Sequence, residues 1–310
     1  MTPQEPESFD TPAKEVHQFK NSLKTRQNLD KIFVFTTWIA TFVGLVVLAI
    51  LLIDIFTDGL PRLSGSFLLS YPSRKPEQAG IISALVGSIW LLVLTALISF
   101  PLGVGAGIFL EEYATDNLLF KILEINIANL AAVPSIIYGL LGLQIFVRWM
   151  APLTNGRSVL AGALTLSLLI LPIIIISTRE ALRAVPNSLR LAGYAVGATR
   201  WQVIHSHVFP LALPGILTGT ILALSRAIGE TAPLITIGAI TYIAYLPDLS
   251  LKGLQSPFTA LPIQIFNWIA RPQTEFHKNA AAGIIVLMVV LLVMNAGAIW
   301  LRNKFQKQRV

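Results

Sequence analysis

Of 310 residues, 54% are hydrophobic and only 13% charged, and the mean hydropathy is +0.70. A soluble globular chain carries about a quarter charged residues, so this composition excludes a water-soluble protein and places the chain in a bilayer. The formal charge of +7 comes from Lys and Arg in tails and short loops beside apolar runs, a signature of membrane topology rather than of nucleic-acid binding. With no cysteine, disulfides and thiolate metal sites are excluded as well.

The first thirty residues are polar and lack the apolar stretch and small-residue cleavage site of a signal peptide, so they read as a retained, mostly disordered tail, assigned to 1–31. Runs of about 20 apolar residues span the roughly 30 Å hydrocarbon core. The first, Ile32–Ile53, follows Lys14, Lys20, Lys24, Arg26 and Lys31 and closes at Asp54, giving a first transmembrane helix over 32–54. A polar external loop with Pro61, Pro72 and Pro76 is expected over 55–79. Gly80–Leu110 is uncharged, and Pro101 among Gly103, Gly105 and Gly107 predicts a kink or an end in its second half.

After the acidic turn of Glu111, Glu112 and Asp116, third and fourth spans are expected over Ile125–Val147 and Val159–Ile176, with Pro134 and Pro172 inside them. Prolines persist in such helices where neighbouring helices or a cavity satisfy the freed carbonyls. The segment Thr178–His207 is polar, with a predicted break at Val185-Pro186. A fifth span starts at Phe209; beyond it, Leu261–Ile269 predicts a short interfacial helix. The sixth covers Ala280–Trp300 and ends in Arg302, Lys304, Lys307 and Arg309. Six spans put both termini on one side, and the excess of Lys and Arg there assigns that side, including the tail 302–310, to the cytoplasm. No fixed-period repeat is visible.

Two charges fall inside the fifth span. Arg226 lies about 25 Å along the helix from Phe209, and Glu230 is four residues further, on one helical face with it. An arginine within a membrane costs at least about 2.5 kcal/mol on insertion scales, so it must face a partner or a polar cavity. Either the two charges neutralise each other and fix helix packing, or Arg226, Glu230 and Thr231 line a gate or substrate pathway in which the guanidinium fork meets anion oxygens. His205 and His207, without a third ligand, read as a surface pair rather than a metal site.

The stretch from Glu180, EALRAVPNSLRLAGYAVGATRWQVIHSHVFPLALPGI, is built to dock: small residues permit close backbone approach and Trp201 offers a contact anchor. It resembles the loop of ABC-importer permeases, with Glu180, Ala181, Val185, Pro186, Ala192, Gly197, Ala198, Thr199, Trp201, Pro210, Pro214 and Gly215 at matching positions. Leu191 stands where that family usually has glutamate, and Gly193 where it usually has alanine. Together with GIFLEEYA at Gly107–Ala114, VPSIIYGLLGL at Val133–Leu143 and RAIGETAP at Arg226–Pro233, the resemblance narrows to the phosphate-importer permeases of the PstA family, over roughly Gly80–Leu301.

What the resemblance implies is an all-α, six-helix type I importer permease with a core at 80–301 and a coupling loop at 178–207 that sits on an ATPase. Glu180, Ala181, Val185, Pro186, Leu191, Ala192, Gly193, Gly197, Ala198, Thr199 and Trp201 are its expected ATPase contacts. The chain itself would be non-catalytic and hold no cofactor; ATP and Mg would bind the partner. The implied assembly is a heterodimer with the permease PstC, two copies of the ATPase PstB and the phosphate-binding protein PstS, in a bacterial inner membrane. Two other readings stay open: an importer of another oxyanion, sulfate or molybdate, and a proton-coupled secondary transporter in which Arg226 and Glu230 form a relay.

Overall fold

The computed structural model describes residues 23–114, 117–248 and 250–307. The tail up to residue 22, Asp116 and Arg309 lie outside the described residues. Every regular element among the described residues is helical. Five helices are long and apolar enough to cross a membrane, and one bent pair adds a further candidate.

The chain divides into two compact units, residues 1–53 and 54–310. The first holds most of helix α1 (Leu23–Gly59), which begins inside the expected tail, so Leu23–Asp30 are helical. The hydroxyls of Thr36, Thr37 and Thr41 donate to carbonyls four residues back at 2.8–2.9 Å, so these polar groups are satisfied within the helix itself.

The second unit opens with a segment that is less loop-like than its prolines suggest. A turn at Leu60–Arg62, helix α2 (Gly65–Leu69) and a turn at Pro76–Gln78 fold inward. Phe67 is buried, its ring centroid 5.8 Å from that of Trp268. Arg62 donates to Asn279 Oδ1 at 2.6 Å and to the carbonyls of Pro76, Glu77 and Ala79 within 3.2 Å, tying the segment down.

Helix α3 (Ile82–Ile108) runs through Pro101 without ending there and passes into a π-helical turn, Phe109–Tyr113. The residues after the proline explain its persistence: a Cβ at Gly103 would sit 2.6 Å from Ile174 Cγ2, and one at Gly107 2.7 Å from Thr178 Cβ, so the helix is pressed against its neighbour just beyond the lost hydrogen bond. Pro134 has the opposite outcome. The expected third span is two helices, α4 (Leu118–Ala131) and α5 (Ser135–Gly142), the latter extended by a π segment at Leu143–Trp149, with a bend of 103° between them. Pro134 supplies no N–H and pushes Val133 out of the helical region, so the chain turns there.

After the short α6 (Ala151–Thr154) comes α7 (Val159–Arg183), capped by Ser158 Oγ, which accepts from the Ala161 N–H at 3.3 Å. It continues through Pro172 and seven residues beyond the expected end at Ile176. Two short helices, α8 (Asn187–Ala195) and α9 (Arg200–Val203), and a π segment at Ile204–Val208 lead into α10 (Phe209–Gly229). Then follow α11 (Ala232–Ile237), α12 (Leu251–Leu254), α13 (Leu261–Ile269) and α14 (Thr274–Lys307).

Helix α7 is the centre of this unit, packing against α3, α4, α5 and α10 with Leu169, Ile170, Ile174 and Leu182 buried. Helix α13, expected to be interfacial, packs into the unit: Leu261, Ile263, Gln264 and Trp268 are buried, and Leu261 and Trp268 join Phe67 and Phe276 in the core beneath α14.

Candidate functional site

Between α7 and α10 the chain builds a hairpin whose geometry is written locally. Pro186 stops α7 and opens α8; Gly197, at φ +82°, stops α8. The N–H of Ala198 donates to Gly193 O at 3.1 Å and that of Gly197 to Tyr194 O at 3.0 Å, the paired bonds of a Schellman ending that needs a left-handed residue at Gly197. Thr199 and Gln202 then form a capping box, Gln202 Oε1 accepting from the Thr199 N–H at 2.8 Å, which starts α9. Gly193 lets the hairpin close, since a Cβ there would lie 2.6 Å from Val203 Cγ2.

The eleven residues read as docking contacts divide into two sets. Glu180, Pro186, Leu191, Ala192, Gly197, Thr199 and Trp201 are exposed. Val185 is buried, and Ala181, Gly193 and Ala198 are half-buried, so these four build the hairpin from within. The apolar side chains Leu191, Val196 and Trp201 are 67%, 84% and 58% exposed on an otherwise polar segment.

Sequence reasoning missed how this hairpin is held. Two adjacent carboxylates of the π turn after α3 point to different elements. Glu111 accepts from Arg179 Nε at 3.2 Å and Arg183 Nε at 2.8 Å, while Arg179 Nη2 also reaches Glu124 on α4 at 3.0 Å. Glu112, buried, accepts from Arg190 Nη2 on α8 at 2.6 Å. Arg200 adds a cation–π contact, 5.3 Å from the ring centre of Tyr113. The signal was present as two acids ending one span and arginines ending another; the pairing needed the fold.

The second candidate lies at the far end of α10. Arg226 is in the last turn, and its Nε donates to Glu230 Oε1 at 3.2 Å. The pair does not share a continuous helix, as the four-residue spacing suggests: α10 stops at Gly229, and Glu230 is extended with ψ 114°. Thr231, half-buried, leads into α11, whose Pro233 packs on α5 with Gly139 so close that a Cβ there would sit 2.6 Å from Pro233 Cα. Among the described residues, Glu230 is the one acceptor that Arg226 reaches, and the guanidinium remains half-exposed. Among the same residues, no cluster of three or more His, Asp or Glu side chains is placed to hold a metal, and the His205 ring sits 5.7 Å from that of Trp201, tilted by 36°.

A bundle of this kind with a protruding helical hairpin between two spans defines the permease class of importers. Residues 99–308 match the family model described as binding-protein-dependent transport system inner membrane component, and the chain belongs to that family as a multi-pass inner-membrane protein, in its PstA branch. The phosphate transport system permease protein PstA of Haemophilus influenzae is 32% identical over 93% of this chain and 100% of its own length. PstA 1 of Mycobacterium tuberculosis H37Rv is 30% identical, covering 98% of this chain and 96% of that one. A probable ABC transporter permease of Bacillus subtilis, YqgI, is 32% identical over 84% and 92%. Solved structures share the fold: a chain of a bacterial alginate ABC transporter aligns with a TM-score of 0.61 at 16% identity over 90% of this chain and 95% of that one. A chain of the inward-facing methionine transporter MetNI aligns at 0.54 and 19% identity over 72% and 96%.

Proposed function

We propose that this chain forms half of the membrane pathway of an ATP-driven importer of inorganic phosphate. It hydrolyses nothing itself; a separate ATPase, a PstB homologue present in two copies, binds ATP and Mg and docks on the 178–207 segment. A second permease of the PstC type completes the pathway, and a PstS-type binding protein delivers phosphate on the opposite side of the membrane. Both termini and the hairpin then lie in the cytoplasm, as the distribution of Lys and Arg supports.

One observation favours this reading over a proton-coupled carrier. The hairpin is pre-formed, capped at both of its short helices, and presents Leu191, Val196 and Trp201 outward. A carrier driven by an ion gradient has no use for such a surface, whereas a groove in an ATPase does. Phosphate as the cargo is supported by the PstA relatives and by Arg226, whose Nη donors have no acceptor among the described residues and suit phosphate oxygens beside Glu230 and Thr231. Closure of the ATPases would rock the bundle between inward-open and outward-open states.

Sidedness is the direct test. The chain has no native cysteine, so Val196→Cys gives one addressable thiol at the exposed hairpin. A membrane-impermeant maleimide is expected to label it only after the cells are opened; labelling in intact cells would contradict the reading.

A further inference from the structure

The motif GIFLEEYA supplies, in Glu112, the partner of Arg190. On α8 no side chain is fully buried, and Leu189, half-buried, is the helix's apolar contact with the main core. Arg190 is the exception in kind: its side chain is 13% exposed, and all five guanidinium N–H groups have acceptors. Nε donates to Glu112 Oε1 at 3.2 Å and Nη2 to the same oxygen at 2.6 Å. Nη2 also donates to Leu182 O at 2.9 Å, and Nη1 to Val185 O at 2.8 Å and Asn187 Oδ1 at 3.2 Å. One residue thus joins the last carbonyls of α7, the start of α8 and, through a carboxylate only 4% exposed, the π turn that ends α3.

We propose that Arg190 and Glu112 are positioning residues that carry motion of the docking hairpin directly to α3, a route additional to the covalent one through α7 and α10. A lysine cannot replace this arginine, because an ammonium has three donors and no planar fork, while the acceptors here lie on three elements. The π turn suits the role: it follows α3 without interruption and aims successive carboxylates at different partners, so a push on α8 is delivered at the end of a long, tightly packed helix.

The proposal rests on the docking role proposed above, and two measurements separate them. In the complete complex reconstituted in liposomes, phosphate taken up per ATP hydrolysed is expected to fall at least fivefold for Glu112→Gln and Arg190→Gln, and by an intermediate factor for Arg190→Lys. Glu124→Gln, in the neighbouring cluster of Glu111, Arg179 and Arg183, should change the ratio less than twofold. Equal ratios in all variants would overturn the proposal. In the purified complex, backbone hydrogen exchange over Asn187–Ala195 is expected to quicken at least tenfold in Glu112→Gln while exchange in the core of α7 stays as in the wild type. Unaltered exchange at α8 would overturn the proposal whatever the transported ion, whereas a wild-type complex that takes up no phosphate would overturn the functional reading alone.

Discussion

Arg190 and Arg226 meet opposite demands with the same guanidinium. The first has every donor engaged and faces a buried carboxylate, so removing either partner strands a charge, an arrangement that costs about 3–5 kcal/mol when broken. The second keeps Nη groups free of acceptors among the described residues and touches Glu230 through Nε alone. That asymmetry fits a structural joint in one case and an anion contact in the other. Phosphate at neutral pH carries a hydroxyl that sulfate lacks, so under the proposed function Glu230 accepts from it while Arg226 holds the charge. Glu230→Gln is expected to lower phosphate uptake severalfold and to let sulfate compete, measured with both radiolabelled ions in the same vesicles. Intact phosphate uptake with no competition by sulfate would assign selectivity elsewhere, to the soluble binding protein first.

At the scale of elements, glycines decide where helices meet. Gly103 and Gly107 press α3 against α7, while Gly105, on the same helix, has nothing within 4 Å of a built Cβ. Gly103→Leu is therefore expected to destabilise the chain by about 1–3 kcal/mol through overpacking, and Gly105→Leu by much less. Thermal unfolding in detergent separates the two; equal losses would mean that this seam is not what holds the helices together. The apolar runs, their number and the break at Val185-Pro186 were legible from residue types alone, because length and a pre-proline position act locally. The fates of the individual prolines were not. Pro101 and Pro172 sit within continuous helices while Pro134 turns the chain, and the difference lies in packing that no local window contains. For the same reason Leu261–Ile269 was legible as a helix but not as a buried one, and the 55–79 segment, polar in sequence, concealed Phe67 and the Arg62 clamp.

Across the whole molecule, the two candidate sites lie at opposite ends of α10: the hairpin leads into Phe209, and the Arg226–Glu230 pair closes the helix. Both candidates stand out in the sequence, since each carries unusual residues for its surroundings, a polar loop between apolar spans and charges within one. What the motifs could not supply was the charge pairing around Glu111 and Glu112, whose arginine partners are 68 or more residues away in the chain. An energy input at one end and an ion contact at the other suit a machine in which ATP closure is felt along α10. The measurement closest to this claim is uptake of radiolabelled phosphate into vesicles holding this chain with its partner permease, ATPase and binding protein. Uptake that requires ATP, and that disappears when Arg179–His207 is deleted although the chain still inserts, is the expected result. Uptake driven by a proton gradient without ATP, or surviving that deletion, would contradict it.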